Sequence, residues 1–202
     1  GRLTLWDGEY LLAPLPLAGA DGSRLLAAFA GLGQEWCGLD LVVLSEPQPG
    51  FEREARGRGI GPRVHFVGQA PREAEWAWWI HARGAVFAGA GAVSGGFVLR
   101  GLDAGCPMMM LQSDGPGAVI HAWLDRNGCL PRALEGGGDD PAAAPTHRLG
   151  RLLGRGPVVT EAVARGRALA AEHGWERTGA RLAAALPDLA ATTVRSRPAA
   201  AA

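Results

Sequence analysis

The sequence predicts an α/β fold, a doubly wound parallel sheet of Rossmann-like type, and three observations carry the prediction. Its short hydrophobic runs are, apart from Asp40 and His65, apolar throughout and not alternating, as strands covered on both faces require. Those runs alternate along the chain with longer amphipathic stretches. The segments that follow four of the runs, Pro14–Gly22, Ser45–Gly50, Gly68–Pro71 and Gly89–Gly96, are rich in glycine or proline, where ligands bind on such sheets. The 202 residues, 48% hydrophobic and 20% charged, suffice for one ordinary domain with a real core.

Taken in order, Tyr10–Leu17 reads as a strand and Arg24–Ala30 as a helix with leucines and alanines on one face. Leu39–Leu44 is the second strand, and Glu52–Arg58 a charged surface helix. Val64–Val67 is the third, followed by helical Glu73–Ala82, with Trp76, Trp79 and Ile80 at helical spacing. Ala85–Ala88 and Met108–Leu111 are the next strands, with helices at Phe97–Ala104 and Gly117–Leu124, and Cys129–Leu130 reads as a short sixth strand. A loop of glycine, aspartate and proline over 136–145 leads to helices Thr146–Leu153, Val158–Glu172 and Trp175–Leu186. Residues 1–188 are expected to form the domain, and the alanine-rich 189–202 a disordered tail.

Composition excludes several functions. Twenty acidic residues balance twenty basic ones, so the chain lacks the general attraction for phosphate that nucleic-acid binding uses. Every one of those cations is arginine, which rules out a lysine Schiff base or a P-loop lysine. Cys37, Cys106 and Cys129 are far apart and form no Cys-x-x-Cys pair, so reduced thiols and a cytoplasmic setting are expected. The longest uncharged stretch, Gly84–Leu99, is sixteen residues with five glycines, short of the roughly 20 that a membrane span needs. No charged-then-apolar leader follows Gly1, so no signal peptide is expected, and the chain reads as a piece of something longer.

Other features have plain readings. His65, His81, His121, His147 and His173 show no metal-ligand spacing, and no metal or cofactor is expected. At helical spacing two of Trp76, Trp78 and Trp79 should point into the core, not form a sugar platform. Met108–Met110 reads as a buried strand, and Ser94 has no His and Asp pattern to make it a nucleophile. Gly89-Ala90-Gly91-Ala92-Val93-Ser94-Gly95 resembles the Gly-x-Gly-x-x-Gly turn of NAD- or FAD-binding domains with one residue inserted. Asp114 would take the ribose hydroxyls, but at least three strands precede this turn, where the fingerprint normally sits on the first.

A set of local strings narrows the fold. Arg63-Val64-His65-Phe66-Val67-Gly68, then Pro71 and an acidic helix with paired tryptophans, resembles the middle of the carboxyl-terminal domain of family 4 glycosyltransferases. Gly105-Cys106-Pro107 with Ser113-Asp114 is similar to that family's Gly-x-Pro strand, and Trp175-Glu176-Arg177 to its closing segment. The likeness spans about Gly8 to Leu186. It implies one half of a GT-B fold, the half that holds a nucleoside diphosphate sugar for a retaining hexosyl transfer. The acceptor half would be an amino-terminal domain or partner chain, and the location cytoplasmic, peripheral to the inner face of the membrane.

Carried over by position, the resemblance implies that Phe66, Val67, Gly68 and Gln69 lie near the base. Ser94, Gly95 and Gly96 would present a helix start to the diphosphate, with Arg100 among the donor-binding residues. The departures are as informative. Where the family holds the donor with an arginine and a lysine, Leu15–Asp21 has no cation, and where it carries two glutamates this chain has Ala92 and Arg100. Asp103 could be a displaced substitute, but an i,i+3 ion pair with Arg100 is the favoured reading. Each lost charge-assisted bond is worth roughly 1.5–3 kcal/mol, so a chain without catalytic residues, inactive alone and degenerate as an enzyme, is expected. A non-catalytic scaffold of the same fold is the alternative, and a dinucleotide oxidoreductase the third.

Overall fold

The computed structural model describes residues 6, 8–68, 72–88, 95–111, 116–131 and 144–174, with 177, 180 and 184. Five strands form one parallel sheet in the order β3-β2-β1-β4-β5: β1 (Tyr10–Ala13), β2 (Asp40–Val43), β3 (Val64–Phe66), β4 (Gly84–Phe87) and β5 (Met108–Met110). Register places Leu12 beside both Val42 and Ala85, so β1 lies at the centre. The strand order reverses there, because the chain runs outward through β2 and β3 and then returns to the other side of β1.

Both faces are covered along β1, β4 and β5, which are buried at every position, while edge strand β3 alternates, with Val64 and Phe66 packed on one face and His65 beside Asp40 on the other. Leu11, Ala13, Leu41, Val43 and Val86 face helices α1 (Gly19–Ala30), α2 (Pro49–Gly57) and α6 (Ala144–Leu153) through Leu25, Phe29, Ala55 and Leu152. Tyr10, Leu12, Val42, Phe87 and Met108 face α3 (Arg72–His81), α4 (Gly95–Ala104), α5 (Pro116–Arg126) and α7 (Pro157–Glu172) through Trp79, Val98, Leu124 and Leu169. The expected Rossmann-like α/β sheet is therefore present.

Several boundaries differ from expectation: α1 begins at Gly19 instead of Arg24 and α2 at Pro49 instead of Glu52, and two further differences have a plain cause. The first strand ends at Ala13 instead of Leu17, because Pro14 and Pro16 lack the N–H groups that pairing needs. Cys129–Leu130 is not a strand. Gly128 (φ 65°) turns the chain at the end of α5, and the Cys129 N–H donates to the Leu124 carbonyl at 2.9 Å, which commits these residues to a helix cap. Of the helix expected over Trp175–Leu186, positions 177, 180 and 184 are helical, and the rest, with the 189–202 tail, lies outside the described residues.

On α3 the tryptophans divide. Trp79 is fully buried and Trp78 half-buried, its ring edge-on to Tyr10 at 5.5 Å, while the Tyr10 hydroxyl donates to the Trp78 carbonyl at 2.8 Å. Trp76 and Ile80, expected to share the inward face with Trp79, are exposed instead. The helix is turned so that Glu75, Trp79 and Ala82, at i, i+4 and i+7, face inward. Gly101 permits this packing: a Cβ there would sit 2.7 Å from the Trp79 ring and 2.8 Å from Met108 Sδ.

Candidate functional site

The carboxyl ends of β1 and β2 open into a cavity of about 620 Å³, within the range of small-molecule sites. It lies in the region where the strand order reverses, walled by Pro14–Pro16 after β1 and Leu44–Gln48 after β2. From the other side Glu75 of α3 and Phe97 and Arg100 of α4 complete it. The prolines that stop β1 thus build one wall.

Hydrogen bonds fix the loops to each other. The Leu17 N–H donates to Gln48 Oε1 at 3.1 Å, and Gln48 Nε2 donates back to the Leu17 carbonyl at 2.9 Å. The two-way amide contact holds the loop after β1 to the start of α2, so the walls move together. Ser45, nearly buried, donates from Oγ to the Glu46 carbonyl at 3.1 Å. Its own carbonyl accepts the Gly68 N–H at 3.0 Å, and Gly68 takes φ 74°, a left-handed conformation that favours glycine.

The charged centre is a pair between α3 and α4. Arg100 Nη1 donates to Glu75 Oε2. This replaces the expected Arg100–Asp103 pair, because α3 brings a carboxylate to the inner side of α4 while Asp103 stays exposed. The Arg100 guanidinium also lies 5.9 Å from the centre of the Phe97 ring, one helical turn back. Glu75 is only 7% exposed, and its Oε1 is buried without a hydrogen-bond partner. Such an oxygen is unusual in a folded protein.

The sequence-derived site residues are placed as follows. Arg100 lines the cavity. Phe66, Val67 and Gly68 follow one another at the end of β3, Phe66 packed against the α1 side of the sheet and Val67 against the α3 side. Gly95 and Gly96 begin α4 and are exposed. Gln69 and Ser94, like the glycine turn 89–94 and Asp114, lie outside the described residues. Glu75 was missed. Its signal was present, since a glutamate four residues before Trp79 and seven before Ala82 puts a charge on an apolar stripe.

Burial pushes the Cys106 thiol up to about 12 and raises the Cys129 thiol and the Tyr10 phenol in the same direction. The three cysteines are free thiols, with Cys37 exposed. Among the described residues no group of three His, Cys, Asp or Glu could hold a metal ion, and no helix is long and apolar enough to cross a membrane.

Comparison with known proteins places the fold. No family model matches the sequence, and no curated protein matches it significantly. Solved structures do match. Sucrose-phosphate synthase from Thermosynechococcus elongatus aligns over 92% of this chain with a TM-score of 0.64 and 19% identity. WaaG, a glycosyltransferase involved in lipopolysaccharide biosynthesis, aligns over 82% with a TM-score of 0.61 and 20% identity. The catalytic domain of cholesterol-alpha-glucosyltransferase from Helicobacter pylori aligns over 82% with a TM-score of 0.58 and 12% identity. The alignments span 46% of the first structure and 43% of the second, so this chain covers less than half the length of either. The fold is that of one half of a GT-B glycosyltransferase.

Proposed function

We propose that this chain is the nucleotide-sugar-binding half of a retaining glycosyltransferase of the family 4 type. The observation that carries the reading is the cavity of about 620 Å³ beyond the carboxyl ends of β1 and β2, in a sheet with the GT-B half's topology. Its lining divides between apolar groups, Pro14, Leu15, Pro16, Leu44 and Phe97, and polar ones, Ser45, Gln48, Glu75 and Arg100. That division suits a ligand with an apolar ring face and a polar rim. The exposed amino end of α4 supplies the positive end of a helix dipole for the phosphates.

On this reading the chain does not transfer sugar alone. Hexosyl transfer requires an acceptor-binding domain or partner chain, and Ala92 and Arg100 stand where the family carries glutamates. A non-catalytic scaffold of the same fold is the second reading, favoured by one observation: the cavity's described cation is already engaged by Glu75.

A thermal-shift titration against UDP, GDP, ADP and NAD tests both, since a ligand that binds only the folded state stabilises it by RT ln(1 + [L]/Kd). A shift with one nucleoside diphosphate, removed by a bulky substitution at Leu44 in the cavity wall, is the expected result. No shift with any of the four favours the scaffold, and a shift with NAD alone favours a dinucleotide site.

A further inference from the structure

The charges around the cavity are the wrong way round for a phosphate. Among the described residues that line it, the charged groups are Glu46, Glu75 and Arg100, which leaves one negative charge in excess. The guanidinium faces the buried carboxylate of Glu75, and the other oxygen of that carboxylate, Oε1, has no donor. A phosphate approaching Arg100 has two costs to choose between. It can lie beside Glu75 and be repelled by a like charge in a partly desolvated place. Alternatively it can draw Arg100 away, leaving Glu75 buried with neither oxygen paired. A neutral group meets neither cost, because the carboxylates do not repel it and the ion pair stays intact.

Resting on the donor reading above, we propose that Glu75 is the specificity-determining residue of this cavity. It holds Arg100 and adds its own negative charge to that of Glu46, so the cavity accepts a neutral ring and turns away a phosphate. The Phe97 ring, its centre 5.9 Å from the guanidinium, flanks Arg100 one turn back on α4.

Calorimetric titration of the full chain with a nucleoside and its diphosphate, using the base that responds in the thermal-shift series, tests the proposal. The wild type is expected to bind the nucleoside within about threefold of the diphosphate, or more tightly. Glu75→Gln keeps the shape of the side chain and removes its charge. It is expected to tighten the diphosphate about tenfold and leave the nucleoside unchanged, so that the diphosphate becomes the preferred ligand. Salt gives a second readout on the wild type alone. Raising ionic strength from roughly 50 to 500 mM should leave diphosphate affinity level or increase it, since the screened interaction is repulsive.

Two results overturn the proposal separately. If the wild type prefers the diphosphate by tenfold or more, salt weakens that binding, and Glu75→Gln changes nothing, then the donor reading stands and the role of Glu75 falls. If neither nucleoside nor diphosphate binds the wild type or the variant, the donor reading falls and takes this inference with it.

Discussion

The two ends of the sheet use arginine in opposite ways. At the amino ends of the strands, arginines are tied to backbone carbonyls. Arg63 donates to the Trp36 carbonyl at 3.0 Å and lies over the Phe29 ring at 4.8 Å. Arg83 donates to the Leu153 carbonyl at 3.1 Å and pairs with Glu9 at 2.9 Å. Arg155, held at φ 50°, reaches the Ala82 and Arg83 carbonyls at 3.2 Å and joins the turn between α6 and α7 to the entry of β4. At the carboxyl ends Arg100 meets instead a buried carboxylate with an oxygen to spare. Arginine thus ties backbone carbonyls together at the amino ends and holds a buried carboxylate at the carboxyl ends.

That contrast can be broken most strongly through the closed end. Cys106 lies just before β5, and burial raises its thiol from 9.0 to about 12. Because the folded value is the higher one, the stability this group contributes is complete below about pH 9 and lost as pH rises toward 12, by up to about 4 kcal/mol. The raised Tyr10 phenol acts in the same direction. Urea midpoints should fall steeply above about pH 9, and Cys106→Ala should flatten that fall. A flat profile in the wild type would mean that this end is not closed to water.

The next effect lies at the site. Arg100→Ala strands the Glu75 carboxylate and should cost about 2–3 kcal/mol in urea unfolding. The double variant Glu75→Leu with Arg100→Leu should recover most of it, since apolar groups replace both partners. If the double variant is no more stable than the single one, the pair is a structural tie like those at the other end.

A smaller loss follows at the amino ends. Arg155→Ala removes bonds to two carbonyls while keeping a left-handed backbone, and should cost about 1–2 kcal/mol by the same measurement. It should leave ligand affinity untouched. A change in nucleotide binding with Arg155→Ala would erase the distinction between the two ends.

The smallest effect is chemical and leaves stability aside. Of the three thiols, Cys37 is exposed and Cys106 and Cys129 are buried. One thiol should react quickly with a disulfide reagent under native conditions and the other two only on unfolding. Rapid reaction at Cys106 would show that the α4–β5 corner opens readily.

Much of this was legible in the residues themselves. Apolar runs alternating with amphipathic stretches dictate a sheet covered on both faces, and the strands at Tyr10–Ala13, Gly84–Phe87 and Met108–Met110 follow from that rule. The short strand expected at Cys129–Leu130 did not form, because two apolar residues beside a glycine serve equally well to cap a helix. Helix rotation was harder to read. Trp76, Trp79 and Ile80 share one stripe on paper, and hydrophobicity alone puts all three inside.

By itself, then, the sequence determined the fold class, the apolar composition of the core and the absence of any lysine from the chain's chemistry, since these depend on residue type and period. Which face of α3 turns inward, and with it the meeting of Glu75 and Arg100 across 25 positions, was decided only when Trp79 packed against Gly101 and carried the helix round. Periodicity records neighbours along one helix. A charge pair between two helices is set by how those helices dock, and that is a property of the folded whole.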